Sequence, residues 1–572
     1  MKVHWTGHPF VDAGLAAVAA VVKVAALEDL TPEDLEKAAR EVERVLLSDQ
    51  SLGLGVERAF ARTTMSQIFP NSPLVNPRNW RGRTNEEKVE NVRRKFRNAL
   101  AEQLQKAKVC LQNEGGQSFC TACGRRCPEE ATVFVRKDTM PLLSGIVNFY
   151  PAFAYGMRLC GLCAFAVHPF FLMSVMRTGV YNRLWFLHTQ ALPIAKEVSF
   201  RYGWFHFNRL IAANEPLELF SRWETVGDAG TVLYLFCELL ENMGDRLREI
   251  YHHPSPTTAY VFSNDNRSPF VHPIPIPNDL LRFFAHLQLR SRFAFQRFWC
   301  ELLKVPSDLK GQERKAREEF VSQVADRLLN TQSILRSCLD DETPKLRGGW
   351  LGHRLYLEEV VMEMSKTKLA VLEQLGTQIA QSEDAKKRIV ELKKAHRNEL
   401  YGILLRYVRE GWLKHDEFYT LLPPGDYGAA EAVRDILLAV IYEWQHCQQQ
   451  GEEFPFMEEV PSLPSPDETL QRIQAIGERL VTGLPNLKRW IGELQTAKSP
   501  QRIRGVYLTA LRQGALRFDD FVFLAPLDDL SRMWLLRDYL LAFLFERAKE
   551  ALPEEEEIAV GAEETPLIGG EG

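Results

Sequence analysis

The stretch FCTACGRRC, residues 119–127, places three cysteines within eight positions, and RLCGLCAF, residues 158–165, adds a second close pair. Each stretch contains a Cys-x2-Cys spacing, at which a tight turn directs two thiolates toward one tetrahedral ion. Two such pairs predict a single four-thiolate zinc site, with the ligands Cys120, Cys123, Cys160 and Cys163. Cys127 is a fifth thiol and an alternative to one of the four.

The predicted zinc is structural, because four thiolates leave no open position for a reacting water. It would clip together two chain segments, and ATVFVRK between them is predicted to form a strand. A redox dithiol and a chance clustering are the alternatives. The other cysteines stand singly among apolar or helical neighbours and are predicted to be small core residues. They are Cys110, Cys237, Cys300, Cys338 and Cys447.

The composition is ordinary for a globular protein: 572 residues, 45% hydrophobic and 25% charged, with a formal net charge of −5. This length predicts about two to four domains. The N-terminus lacks the architecture of a signal peptide, and no apolar run reaches the roughly 20 residues of a membrane span. A cytoplasmic, reducing location without membrane contact is therefore predicted, which disfavours disulfides.

The predicted fold class is α+β: a mixed α/β N-terminal half with an inserted zinc-binding region, then a mainly α-helical C-terminal half that ends in a helical bundle. Thr31 and Pro32 predict a helix start, whereas SFRYGWFHF at 199–207 and TAYVFSNDN at 258–266 favour strands. The dense prolines of SPFVHPIPIP exclude a helix or a central strand. No repeat with a period of about 20–50 residues is evident.

Shifts in composition and periodicity divide the chain into six predicted regions. They are a helical and loop region at 1–110, the zinc-binding region at 111–200, a mixed α/β region with a proline-rich loop at 201–300, a helical region at 301–430, a helical bundle at 431–552 and an acidic disordered tail at 553–572.

No catalytic motif is present in the sequence. It lacks the phosphate-binding G-x4-G-K-[ST] loop, the zinc-protease H-E-x-x-H and the nucleophile elbow G-x-S-x-G. His415-Asp416 is the dipeptide of HD-type metal hydrolases, but no supporting metal-ligand pattern accompanies it. A solvated helix-end pair is predicted there, and the protein is predicted not to be an enzyme.

Three stretches rich in Arg and Lys are candidates for a surface that follows a nucleic-acid backbone. Each alone is explained by an ordinary solvated helix face, and their number in one chain favours the backbone interpretation. The predicted backbone contacts are Arg81, Arg83, Arg93, Arg94, Lys95, Arg97, Lys386, Lys393, Arg397, Arg502, Arg504 and Arg512.

WTGHPFVDAGLAAV near the N-terminus and IFPNSPLVNP at 68–77, with the paired Cys-x2-Cys motifs, resemble one family. It is the large subunit of type I-B CRISPR Cascade, whose N-terminal signature reads approximately T-G-x-P-F-V-D-x-G. The matching residues are Thr6, Gly7, Pro9, Phe10, Val11, Asp12 and Gly14. The motif order covers most of the chain, whereas the helical C-terminal half matches only in character.

The resemblance implies a non-catalytic subunit of an RNA-guided complex for antiviral defence. In that family the large subunit lies beside the 5′ handle of the guide RNA, recognises the protospacer-adjacent motif in double-stranded DNA and helps to open it into an R-loop. The implied partners are the CRISPR guide RNA, the target duplex and its displaced single strand, other Cascade subunits, and a helicase-nuclease or transposition adaptor. The region 431–552 would resemble the family's small subunits.

Two irregular loops carry the side chains that discriminate bases, which are Asn, Gln and Arg. The predicted motif-reading residues are Gln67, Asn71, Asn76, Arg78, Asn264, Asn266 and Arg267. Asn beside proline also makes turns, which is the structural alternative. Two other functions fit the sequence: a zinc-clipped stand-alone DNA-binding regulator, and a metal-dependent nuclease with unrecognised motifs.

Overall fold

A computed structural model describes residues 2–53, 64–69, 72, 80–113, 115–135, 139–141, 157–177, 183–221, 226–264, 269–340, 342–362, 364–423, 429–455, 468–526 and 530–550. The chain divides into two compact units. Unit 1 is Met1–Cys338 with Arg347–Glu363, and unit 2 is Leu339–Leu346 with Met364–Gly572. The six predicted regions are finer than these units, so their boundaries stay predictions, and the predicted tail at 553–572 lies outside the described residues.

Unit 1 is mainly helical where it is described. Its described helices are α1 (Pro9–Val22), α2 (Pro32–Leu46), α3 (Asp49–Leu52), α4 (Thr64–Ile68), α5 (Asn85–Gln112), α6 (Gly161–Val167), α7 (Leu192–Val198), α8 (His206–Ala212), α9 (Gly227–Glu241), α10 (Leu247–His252), α11 (Asn278–Arg290), α12 (Arg292–Leu303), α13 (Gly311–Leu329), α14 (Leu335–Cys338) and α15 (Trp350–Tyr356).

Unit 2 is almost entirely helical where it is described. Its helices are α16 (Lys366–Gln381), α17 (Ala385–Lys394), α18 (Arg397–Glu410), α19 (His415–Leu421), α20 (Ala429–Gln450), α21 (Glu468–Gly483), α22 (Leu487–Thr496), α23 (Pro500–Arg512), α24 (Phe518–Leu524) and α25 (Leu530–Glu550).

The strands are short and all their ladders are antiparallel. They are β1 (Ser118–Phe119), β2 (Arg126–Cys127), β3 (Thr132–Val135), β4 (Met157–Cys160), β5 (Met176–Arg177), β6 (Leu184–Thr189), β7 (Thr257–Ser263), β8 (Phe270–Ile276), β9 (Leu339–Asp340) and β10 (Lys345–Leu346). β5–β6–β7–β8 form one sheet, and β1–β2, β3–β4 and β9–β10 are separate pairs. Mainly helical structure with small antiparallel sheets confirms the predicted α+β class.

Helix α1 lies at the centre of unit 1, because ten consecutive residues from Val11 to Ala20 are buried. An added methyl group at Gly14 would overlap the Ala166 carbonyl of α6, so glycine is required where the two helices cross. Trp204 donates its indole N–H to the Ala17 carbonyl at 3.0 Å. The apolar N-terminal stretch is therefore a core helix.

One strand prediction is wrong and another is confirmed. Residues Ser199–Phe205 form a π-helical segment that continues α7 into α8, because packing on α1 outweighs the aromatic residues' preference for strands. TAYVFS forms β7 as predicted. The proline-rich run forms β8 at the edge of the sheet, where Pro273 and Pro275 face Tyr260 and Thr258.

No described helix is both long enough and apolar enough to cross a membrane.

Candidate metal centre and the surfaces around it

The first Cys-x2-Cys turn closes the hairpin of β1 and β2. The Cys120 amide donates to the Arg125 carbonyl, and the Gly124 amide donates to the Cys120 carbonyl, both at 2.9 Å. Gly124 has φ +69°, a left-handed conformation that glycine adopts without strain. The turn thereby directs the Cys120 and Cys123 side chains to one side.

The second turn joins β4 to α6. Cys160 pairs with Thr132 in the β3–β4 ladder and is also the N-cap of α6, where its sulfur accepts the Cys163 amide at 3.5 Å. A methyl group at Gly161 would overlap the backbone of α5 at Lys106, so glycine brings α6 close against α5. The β3–β4 ladder, the N-cap and the packing of α6 on α5 together fix the positions of the Cys160 and Cys163 thiols.

The four predicted ligands converge, and their sulfur atoms all lie within 4.8 Å of one another. The Sγ atoms of Cys123 and Cys160 are 3.9 Å apart. Three of the four side chains are buried, and Cys123 is partly buried. The quartet can hold a metal ion, and its four thiols are compatible with zinc.

The electrostatics of the four thiols favour a bound cation. Hydrogen bonds from Cys123, Cys160 and Cys163 lower the pKa of Cys120. The pKa of Cys163 is raised, with its hydrogen bond to Cys120 as the main cause and burial contributing. The thiols therefore cannot all ionise together unless a positive charge compensates them, and a divalent ion between the sulfurs supplies that charge.

Two further thiols lie close to the quartet. A hydrogen bond from Cys160 lowers the pKa of Cys110 on α5 to about 7, and the Cys110 sulfur also donates to the Ala131 carbonyl at 3.5 Å. Burial raises the pKa of Cys127 to about 11. Cys127 lies outside the quartet, so it does not replace a ligand. Cys110 lies ten positions before the first pair, so the sequence predicted only an isolated core residue.

Two exposed phenylalanine–arginine pairs flank the metal centre, and the sequence analysis missed both. Phe119 is directly opposite Arg126 in β1–β2, with the guanidinium 5.6 Å from the ring centre. Phe134 is directly opposite Arg158 in β3–β4, with the guanidinium 4.9 Å from the ring centre. The rings are 52% and 48% exposed.

Hydrogen bonds connect the strands that carry the two pairs. Arg158 donates to the Ser118 hydroxyl at 3.2 Å, next in sequence to Phe119, and the Thr121 amide donates to the Arg158 carbonyl at 2.9 Å. We call Phe119, Arg126, Phe134 and Arg158 the Phe–Arg surface. The sequence does not reveal these pairs, because a phenylalanine can be matched with the arginine opposite it only when the strand register is known.

The N-terminal signature has a structural explanation in Asp12, which is fully buried. Its carboxylate accepts the Thr6 amide at 2.8 Å, the Thr6 hydroxyl at 2.7 Å and the Gly7 amide at 3.0 Å. His188 on β6 lies 3.0 Å away through Nε2. Asp12 therefore fixes the turn that precedes α1 and ties it to the sheet.

Asn264 connects the two predicted motif-reading loops. Its side-chain amide donates to the Ile68 carbonyl at 2.8 Å, next to Gln67, and Asn264 is 5% exposed. Its predicted contact with a DNA base does not fit this conformation, because the amide is buried and used within the protein. Gln67 is partly buried. The other predicted readers lie outside the described residues: Asn71, Asn76, Arg78, Asn266 and Arg267.

The first predicted backbone-contact set lies on α5 and the turn before it. Arg93 donates to Asp49 at 2.6 Å and Arg97 donates to Glu43 at 2.7 Å. These two ion pairs join α5 to α2 and α3, so they have a structural role. The exposed members of the set are Arg81, Arg83, Arg94, Lys95 and Arg97.

The predicted backbone contacts in unit 2 also include both residues with structural contacts and exposed residues. Arg504 donates to the Pro526 carbonyl at 2.9 Å and is partly buried. The Lys393 ammonium lies 5.4 Å from the centre of the Tyr442 ring. Arg397 is partly buried. The exposed members are Lys386, Arg502 and Arg512.

The His415-Asp416 pair does not form a metal site. His415 Nδ1 lies 2.6 Å from Glu546 Oε2, and its Nε2 lies 2.8 Å from the Gln474 amide nitrogen. Both ring nitrogens thus have protein partners. Within the part of the chain that the structure describes, the cysteine quartet is the group of metal-binding side chains that converges.

Comparison of the chain with protein-family models, with curated proteins and with solved structures finds no match.

Proposed function

We propose that the chain is the non-catalytic large subunit of an RNA-guided type I-B CRISPR Cascade complex. It would recognise the protospacer-adjacent motif in duplex DNA, aid strand opening and recruit a helicase-nuclease or a transposition adaptor in the cytoplasm. The sequence signature that ends in Asp12 and Gly14 supports this family. In such complexes base pairing with the guide identifies the target, and the protein contributes shape and backbone contacts.

The proposed cofactor is one structural zinc ion held by the cysteine quartet. When bound, it would neutralise the thiolates and join the β1–β2 hairpin to the β4–α6 turn. The Phe–Arg surface is carried by the strands that the ion joins. The ion would therefore fix the position of that surface without taking part in a reaction.

The Phe–Arg surface is the observation that carries the nucleic-acid assignment. Proteins that bind single strands combine cations along the backbone with aromatic rings on which bases stack. Here two half-exposed rings each lie beside a guanidinium group, on strands that hydrogen bonds connect. Arginine also stacks on unpaired bases, which suits either the guide RNA or the displaced DNA strand.

The test is to replace Phe119 and Phe134 by alanine in the full chain. Each ring that stacks a base contributes about 1–3 kcal/mol, so losing both rings should cost at least about 2 kcal/mol, and the double variant should bind a single-stranded oligonucleotide at least about 30-fold more weakly. The measurement is a fluorescence-anisotropy titration with an RNA and a DNA oligonucleotide of the same sequence. Tighter binding of RNA would point to the guide, and tighter binding of DNA would point to the displaced strand.

Phe293→Ala is the matched control, because Phe293 in unit 1 is 65% exposed and lies away from the cysteine turns in sequence, at the start of α12. It should bind like the unmodified protein. Equal affinity of the Phe119/Phe134 variant and the control, with zinc content retained in both, would contradict the assignment.

A further inference from the structure

Unit 2 contains an internal repeat with a period of 103 residues. Of the 42 positions from Gly402 to Glu443, 16 carry the same amino acid 103 residues later, in Gly505 to Glu546. The identities include R-x-G-x-L at Arg409–Leu413 and again at Arg512–Leu516, and Arg-Asp at 434–435 and 537–538. The sequence analysis missed the repeat because its period exceeds that of common repeat families.

The helices correspond pairwise and in order. Helices α16 to α20 have 16, 10, 14, 7 and 22 residues, and α21 to α25 have 16, 10, 13, 7 and 21. We call α16–α20 copy 1 and α21–α25 copy 2. Matching lengths in matching order extend the repeat to five helices.

Equivalent residues make equivalent contacts. Arg434 donates to the Ala395 carbonyl at 3.3 Å in copy 1, and Arg537 donates to the Ala497 carbonyl at 3.2 Å in copy 2. Each arginine also pairs with the aspartate that follows it. Gly376 is pressed against Val440 in copy 1, as Gly477 is pressed against Phe543 in copy 2. The two copies therefore share one packing scheme.

Most of the repeated residues have a structural role that explains their presence in both copies. Gly411 and Gly514 follow a helix end with φ +80° and +74°. Leu413 and Leu516 are buried. In each Arg-Asp dipeptide the arginine donates to one of the two carbonyls described above.

Gly402 and Gly505 have no such internal role. Each lies inside a helix, α18 or α23, each is exposed, and an added methyl group would meet no atom within 4 Å. Glycine destabilises a helix interior relative to alanine. Because neither copy needs glycine for its own packing, the residue points to close approach by something outside the chain.

An arginine lies on the same face of each helix as its glycine, and a second cation follows it in the chain. Arg409 and Arg512 follow these glycines by seven residues, which is two helical turns. Lys414 and Arg517 are equivalent N-caps of the next helix. All four side chains are exposed, and none forms an ion pair or a side-chain hydrogen bond with a described residue.

We propose that unit 2 is a tandem duplication whose copies present two equivalent sites for the phosphate backbone of double-stranded DNA. Each site consists of the open glycine, which lets the backbone approach, and two cations that pair with phosphates. The sites are Gly402, Arg409 and Lys414 in copy 1 and Gly505, Arg512 and Arg517 in copy 2.

Double-stranded rather than single-stranded DNA fits these faces. Single-strand surfaces add aromatic platforms for bases, whereas Tyr407 and Tyr507 beside the glycines and arginines are fully buried. Phe518, next to Arg517 in copy 2, is 68% exposed. Its equivalent in copy 1 is His415, which is partly buried and bonded to Glu546 and Gln474, so the two sites do not share an aromatic platform. A duplex presents its phosphates and keeps its base faces stacked. The inference deepens the proposed function, because it assigns a duplex-holding surface to the helical unit.

The test measures how duplex affinity depends on salt for the full chain. The probe is a 30-base-pair duplex of random sequence, a length of about three helical turns. Arg409→Ala with Lys414→Ala should lower the slope of log K against log salt by about 1.8, since each phosphate contact contributes about 0.9. Arg512→Ala with Arg517→Ala should lower it by about the same amount, and the fourfold variant should lower it by about twice as much.

Lys394→Ala with Lys498→Ala is the control, because both lysines are exposed and neither has a basic counterpart in the other copy. This double variant removes the same charge, and it should change the slope by less than the value of about 0.9 that one phosphate contact contributes. Unchanged slopes in both paired variants, or a change confined to single-stranded DNA, would overturn the proposal.

A second variant uses the glycines. Gly402→Gln with Gly505→Gln should raise the melting temperature, because glutamine favours helix, and should lower duplex affinity, because its side chain fills the open space. A purely structural role does not produce opposite signs. A rise in both quantities would overturn the proposal. RNA-guided assembly is measured separately, so a chain that binds duplexes through these sites without guide RNA would contradict only the proposed function.

Discussion

Asp12 shows how one residue of a signature can serve the fold. Its buried carboxylate collects three donors from Thr6 and Gly7 and one nitrogen of His188. Buried carboxylates are stable only when they are paired and hydrogen-bonded. The signature therefore marks the turn before α1 and the crossing of α1 with α6. These structural roles account for its residues, and no bound ligand is needed to explain them.

The prediction is that Asp12→Asn destabilises unit 1 strongly. An amide leaves His188 and at least one backbone donor without an acceptor, and breaking a buried pair costs about 3–5 kcal/mol of the free energy of unfolding. Thr6→Ala removes one hydroxyl donor and should cost about 1 kcal/mol. Urea denaturation followed by circular dichroism gives both values.

The contrary result is an Asp12→Asn protein that unfolds like the unmodified chain but has lost its binding to nucleic acid. The signature would then mark a binding site and not the turn before α1.

At the scale of elements, the two cysteine turns were predictable because their spacing is local. Each pair lies within four residues, and the chemistry of thiolates then demands that the pairs meet. The Thr31 cap was predictable for the same reason, and its hydroxyl accepts the Asp34 amide at 3.2 Å. Where the decisive contact was distant in sequence, as for the π-helical segment on α1 or for Cys110 beside Cys160, local reasoning failed.

The metal prediction is one zinc per chain. Cys120→Ser with Cys163→Ser removes one ligand from each turn, so it should abolish stoichiometric zinc and lower the melting temperature of unit 1. Cys127→Ser is the control, because this buried thiol lies outside the quartet, and it should retain zinc. Elemental analysis by inductively coupled plasma mass spectrometry measures the metal, and freshly purified protein without zinc would refute the site.

At the scale of the whole molecule, the sequence predicted a mixed front half and a helical back half but not the two copies within unit 2. Periodicity identifies each helix by itself, whereas the duplication appears only when residues 103 positions apart are compared. Between the predicted motif-reading loops the structure shows the hydrogen bond from Asn264 to the Ile68 carbonyl. Asn264→Ala is expected to act by removing this hydrogen bond, and not by removing a contact with a DNA base.

In the proposed function the two units bind different forms of nucleic acid, one a single strand and the other a duplex. The Phe–Arg surface of unit 1 suits a single strand, and the duplicated glycine–cation faces of unit 2 suit a duplex. An RNA-guided complex that opens DNA holds both forms at once. A stand-alone regulator would need the duplex alone.

Sequencing of the RNA that co-purifies with the full-length chain from its source cells tests the central claim most directly. The account predicts short RNAs that share one repeat-derived 5′ end and differ in the segment that follows. Absence of bound RNA, with enrichment of a single duplex sequence instead, would contradict it and identify a stand-alone DNA-binding protein.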